Sequence, residues 1–284
     1  MKIQIQENLF LRLLLLGCIL LLNSCFTMRT SPRKTKLFFA EKNIAFVDSA
    51  VRIKNRTIRY IQTGSTDKQT LVFVHGSPGS WDAWKSYLSD TVLLKHFRMI
   101  APDRPGFGFS NFRKSSNLDE QALLLNALVS QLKNGEVTTL VGHSYGGPLI
   151  VKMALQNPSL FHNLYILAGA VDPEAEKPEK WRKPLTWVPL KYLVPGALKP
   201  SNDEIWMLKK DLWNMKPGLA ALYQNTVIIH GTKDKLVPYS NVDFMQKEFV
   251  NVSNLEVIRI EDENHFIVWN REGLIKEKLL DLVK

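Results

Sequence analysis

Cysteine is almost absent from the chain. Of 284 residues only Cys18 and Cys25 carry a thiol, and both precede residue 26. A body without cysteine can form neither a disulfide nor a thiolate metal site, so its stability rests on its core. Long apolar runs are missing too: residues 13–22, interrupted by Gly17 and Cys18, are too few to cross a bilayer as a helix. There is no internal repeat and no low-complexity stretch, which excludes solenoids and compositionally disordered chains. No basic run is interleaved with stacking aromatics at the spacing of a nucleic-acid module. The excess of 37 Lys and Arg over 27 Asp and Glu, a net charge of +10, therefore reads as scattered surface charge with no nucleic-acid partner. Such charge suits a domain held near anionic lipid.

Residues 1–24 read as an address rather than as structure. Lys2 and Arg12 lie before the apolar run, which ends in Leu22, Asn23, Ser24 and Cys25. This resembles the lipobox of bacterial lipoproteins, which implies cleavage before Cys25 and acylation of that cysteine. The rival site at Cys18 leaves too short an apolar run after Arg12. An ordinary secretory signal and an uncleaved anchor are the other readings. Phe26, where an Asp would hold the protein back, resembles outer-membrane sorting, so the expected location is the bacterial cell envelope. Residues 25–44, with Arg29, Arg33, Lys34 and Lys36 among Ser, Thr and Pro, read as a flexible lipidated tether.

Residues 45–53 and 57–62 alternate as two strands of an antiparallel hairpin. From residue 71 the pattern becomes strand, loop, helix, repeated, which predicts a mostly parallel sheet covered on both faces. Strands are predicted at 71–74, 97–101, 137–141, 164–168, 227–230 and 255–260, with helices over 118–132, 148–155 and 274–282. Residues 171–222 break this rhythm. They hold seven of the 14 prolines and four of the seven tryptophans, and no strand fits them. We read them as a helical cap inserted between two parts of one core, 45–170 and 223–284, with tryptophans that line a pocket or form the cap's own small core.

The chemistry centres on Gly142, His143, Ser144, Tyr145 and Gly146, between a strand and a helix. Gly-x-Ser-x-Gly in that context is a nucleophile elbow: a turn so tight that the serine is strained and its hydroxyl exposed. A serine hydroxyl needs a base, and the base needs a carboxylate to orient it. His265, after the last strand, is the candidate base in preference to His75, His96, His143, His162 and His230. Asp234, in the loop after the 227–230 strand, is the candidate acid, with Asp172 a competitor and Asp262 too near His265 in the chain. Two backbone donors should hold the oxyanion, the N–H groups of Tyr145 and Ser77.

Five landmarks in order, at His75–Gly79, Asp103–Gly108, Gly142–Gly146, Gly231–Asp234 and Asn264–Phe266, make the chain from about residue 47 onward similar to the α/β-hydrolase superfamily. The resemblance implies an α/β fold with an eight-stranded sheet, a triad of Ser144, Asp234 and His265, Asp103 and Arg104 as loop-bracing residues, and no cofactor or metal. Haloalkane dehalogenases and epoxide hydrolases of this type carry Asp where Ser144 stands, and proline iminopeptidases usually carry Trp where Tyr145 stands. That leaves esterases, lipases, C–C bond hydrolases and cofactor-free perhydrolases, of which the leading expectation is a serine esterase acting on a small-molecule ester with an apolar part. A peptidase, amidase or C–C hydrolase on the same triad, and a catalytically silent binding lipoprotein, are the alternatives. A base histidine must be neutral, so activity is expected to rise through about pH 6 to 7.

Overall fold

The computed structural model describes residues 26–177 and 179–284. Cys25 and the signal-peptide reading lie outside the described residues.

The stretch expected to be a flexible tether is instead largely helical. Helix α1, Pro32–Glu41, is capped by the Ser31 hydroxyl, which accepts the Lys34 N–H at 3.3 Å, with Pro32 in its first turn. Both are helix-start signals. Thr35 and Phe39, four residues apart and so on one face, are fully buried, and Phe39 stacks on Phe46 at 4.7 Å and on Trp81 at 5.9 Å. Arg33, Lys34 and Lys36, which suggested a solvated linker, occupy the outer face of this helix.

Strands β1 (Phe46–Ile53) and β2 (Arg56–Thr63) form the antiparallel hairpin, and β2 joins the sheet antiparallel to β4. Then follow β3 (Gln69–Val74), β4 (Phe97–Pro102), α2 (Leu118–Gln131), β5 (Thr138–His143), α3 (Gly146–Gln156), β6 (Asn163–Leu167), α4 (Leu198–Met215), β7 (Asn225–Gly231), α5 (Ser240–Glu248), β8 (Leu255–Ile260) and α6 (Glu272–Leu280). The sheet order is β1-β2-β4-β3-β5-β6-β7-β8, and β3 to β8 run parallel.

Strands β4, β5 and β6 are buried along their whole length, and burial on both faces explains why they read as mainly apolar runs. Alternation along each strand sorts its side chains between two cores. Leu71 and Phe73 pack with Trp81, Trp84 and Ile275 on one face, while Val72 and Val74 pack with Leu125, Leu149 and Leu212 on the other.

Residues 171–222, between β6 and β7, contain short 3₁₀ turns at Lys180–Thr186, Leu190–Tyr192 and Lys216–Ala221 besides α4. Helix α4 sends Leu208, Leu212 and Met215 into the main core. Of the four tryptophans, Trp181, Trp187 and Trp213 are 56%, 56% and 45% exposed and form no separate core, while Trp206 is half-buried. Because β3, β5, β7 and β8 are parallel, the loops that carry Ser77, Ser144, Asp234 and His265 all leave the same edge of the sheet, where ligands bind in open α/β folds.

Candidate active site

Ser144 sits at φ +56°, a left-handed conformation that a non-glycine residue keeps only where its surroundings enforce it. The enforcement is visible. Its N–H donates to the Leu167 carbonyl at 3.0 Å, and its own carbonyl accepts the Gly147 N–H at 2.9 Å. A Cβ on Gly142 would lie 2.3 Å from the Gly146 carbonyl oxygen, and one on Gly146 would lie 2.3 Å from that of Val74. Only glycine allows backbone to approach so closely.

Asp234, rather than Asp172, meets His265. Its Oδ1 accepts the N–H groups of Leu236 and Val237 at 2.9 and 2.8 Å, which aims Oδ2 at His265 Nδ1, 2.6 Å away. Asp172 instead closes a turn by accepting the Glu174 N–H. Burial by itself would raise the Asp234 pKa, but hydrogen bonds from His230 and His265 outweigh it and hold the carboxyl well below the usual range. An ionised carboxylate can only accept, so Nδ1 of His265 carries the proton and Nε2 keeps its lone pair. Among the described residues the Ser144 hydroxyl makes no hydrogen bond to that nitrogen; in ligand-free hydrolases this contact is commonly long.

Two further histidines surround this pair. His143 donates from Nε2 to the His265 carbonyl at 3.0 Å, with the rings 4.9 Å apart. Burial, then the neighbouring His265, pushes its pKa down to about 3, so it is a neutral donor that fixes the main chain of His265. His230 donates from Nε2 to the Val237 carbonyl at 2.9 Å, with that nitrogen 3.5 Å from Asp234 Oδ2.

The loop after β3 lies against the elbow: a Cβ on Gly76 would come within 3.0 Å of the Ser144 Cβ. Neither the Ser77 nor the Tyr145 N–H finds an acceptor among the described residues. His75 holds this loop, donating from Nδ1 to the Gly76 carbonyl at 2.7 Å and accepting the Arg104 N–H at Nε2, 3.0 Å. Burial, and then the Arg104 charge, keeps His75 well below its ordinary pKa. Asp103 braces the next loop through the N–H groups of Trp81 and Phe109 at 3.0 and 2.9 Å.

Arg104 ties these parts together. It donates to the Gly76 carbonyl at 3.0 Å and to Gln121 Oε1 at 2.6 Å, and its guanidinium lies 4.6 Å from the centre of the Tyr145 ring. Both terminal nitrogens meet Glu204 of α4 at 2.8 Å. A second link joins Ser77 Oγ to Ser201 Oγ at 2.9 Å. Sequence reasoning identified Arg104 as a brace but missed Glu204, Gln121 and the two extra histidines. A partner a hundred residues away leaves no spacing to read, and a lone histidine beside the nucleophile has no pattern of its own.

Comparison with known proteins agrees with this fold. A family described as alpha/beta hydrolase fold matches residues 69–193. The chain is 27% identical over 117 residues to an epoxide hydrolase of Caenorhabditis elegans, covering 40% of this chain and 28% of that one. It is 34% identical over 111 residues to a putative carbamate hydrolase of Pantoea ananatis, covering 37% and 38%. The chain thus spans well under half the length of either relative. Among solved structures, an esterase from Exiguobacterium antarcticum superposes with a TM-score of 0.66 at 20% identity, over 84% of this chain and 99% of that one.

Proposed function

Since the chain has the α/β-hydrolase fold, we propose that it is a serine hydrolase that cleaves carboxylic esters through an acyl-enzyme. The observation that carries this reading is the 2.6 Å contact between Asp234 and His265 Nδ1, which leaves Nε2 as the nitrogen available to the strained Ser144. His265 takes the Ser144 proton, and the alkoxide attacks the ester carbonyl. The N–H groups of Tyr145 and Ser77 receive the oxyanion, and because they have no protein acceptor to give up they act without reorganisation. His265 then protonates the leaving alcohol. Water, deprotonated by the same nitrogen, releases the acid. The epoxide hydrolase relative does not extend its activity to this chain, because the elbow offers a hydroxyl rather than a carboxylate.

We further propose that Cys25 is the acylated anchor of a cell-envelope lipoprotein. Mass spectrometry of the membrane fraction tests it: a lipid-modified Cys25 as the first residue supports the anchor, and an intact Met1 overturns it. For the activity, the test is labelling of the full chain by a fluorophosphonate probe beside Ser144→Ala and His265→Ala. Labelling lost in both variants supports the triad. A folded parent that does not label overturns it.

A further inference from the structure

Residues 180–202 contain Lys180, Arg182, Lys183, Lys191 and Lys199; Arg182 pairs with Glu179 and Lys199 with Asp203, while Lys180, Lys183 and Lys191 meet no carboxylate among the described residues. Val194 and Ala197 are buried, but six other apolar or aromatic side chains among them point outward: Trp181, Trp187, Val188, Tyr192, Leu193 and Leu198 are 56%, 56%, 66%, 61%, 50% and 37% exposed. The two sets are interleaved in space as well as in sequence. The guanidinium of Arg182 lies 4.5 Å from the Trp181 ring, the ammonium of Lys183 5.9 Å from Trp187, and that of Lys191 5.1 Å from Tyr192. Exposed tryptophan and tyrosine beside lysine and arginine are the amphipathic side chains that settle at the boundary of lipid headgroups and acyl chains.

Two neighbours of this face point to what covers it. The Phe26 carbonyl accepts the Ala197 N–H at 2.8 Å, so the chain passes into the described domain at this face, directly after the apolar stretch 13–22. On its inner side, Leu198 is one helical turn from Ser201, whose hydroxyl meets Ser77 of the proposed oxyanion loop at 2.9 Å. We propose that this face of the insertion seats the domain on an anionic phospholipid bilayer, and that carboxylic esters of membrane lipids are the substrates delivered to Ser144. The substrate half rests on the ester reading above; the docking half does not.

The experiment uses the full chain reconstituted in vesicles whose lipids carry bromine on their acyl chains, which quenches tryptophan on contact. With phosphatidylglycerol present, about a quarter of the emission, the share of two tryptophans in seven, is lost as the two rings enter the interface. Trp181→Phe with Trp187→Phe abolishes that loss while cleavage of a soluble short-chain ester is unchanged. Lys183→Glu with Lys191→Glu reduces it at least fivefold, about what one basic residue contributes at an anionic surface. Rings that stay unquenched, whether covered by residues 1–25, a second copy or a protein partner, overturn the docking. Quenching that is equal in neutral phosphatidylcholine overturns its anionic basis. Docked protein that cleaves the soluble ester but no vesicle lipid overturns the substrate class, whereas quenching without any hydrolysis upholds docking and removes the ester reading alone.

Discussion

Arg104 and Glu204 face each other in a bidentate ion pair, both nitrogen to oxygen distances 2.8 Å and both side chains at most 1% exposed. One comes from the loop after β4 and the other from the inserted helix, and the pair touches both the Gly76 carbonyl and the Tyr145 ring. Removing one member strands a buried charge. Glu204→Ala is expected to lower stability by about 3–5 kcal/mol in urea melts. The double change Arg104→Met with Glu204→Leu should recover much of that stability yet leave ester turnover low, because Gly76 loses its brace. Full activity in the double variant would show that the pair does not position the oxyanion loop.

Asp234→Asn keeps the shape but lets the amide donate toward Nδ1, which turns the His265 lone pair away from Ser144. Turnover is expected to fall about 10⁴-fold with KM little changed, measured on a soluble ester. A loss under tenfold would mean that another carboxylate orients the base.

His143 yields a pH signature in stability. Its folded pKa, about 3, lies below the ordinary 6.5, so below pH 6.5 the unfolded chain binds a proton that the native state refuses. The contribution is fully present above pH 6.5 and shrinks by about 1.4 kcal/mol per pH unit as pH falls toward 3. Denaturant melts at pH 6.5 and 5 should therefore differ by about 2 kcal/mol more in the parent than in His143→Gln. Equal differences would count against a buried neutral His143. The depressed Asp234 adds a loss of the same sign only below the ordinary carboxylate range, so the two steps separate on the pH axis.

Two glycines should respond oppositely to alanine. At Gly146 a methyl group would sit 2.3 Å from the Val74 carbonyl oxygen, backbone that cannot rotate away, so Gly146→Ala should destabilise strongly and abolish probe labelling. At Gly273, within α6, nothing lies within 4 Å. Gly273→Ala should stabilise by about 0.5–1 kcal/mol through helix propensity, read as a raised denaturation midpoint.

The sheet was legible because its central strands are buried on both faces, which writes them as apolar runs, and because a parallel sheet forces its loops to one edge. That is why Ser144, Asp234 and His265 could be named as candidates from their order, and why Asp172, also in the right place by order, stays a competitor until the contact of Asp234 with His265 sets it apart. Helix α1 was misread since its buried stripe is only Thr35 and Phe39, outnumbered by the basic residues of its outer face. Glu204 was invisible because its partner is set by how the insertion folds back, a long-range event with no local pattern. The tryptophans illustrate a related point: of the two roles left open for them, a pocket lining or a small core of the insertion, the core is not theirs, because α4 fills it with leucine and methionine.

The hydrogen bond between Phe26 and Ala197, with Arg29 Nε donating to the Gly108 carbonyl at 2.6 Å, has a mechanical consequence. Phe26 and Arg29 are thereby pinned to the domain. A long linker lets a domain sample a wide volume and dilutes its effective concentration at any one surface. On the proposal that Cys25 carries the lipid, a pinned exit would act as a pivot: the domain would tilt and spin about it without wandering, working on the surface that holds it and not on the one opposite.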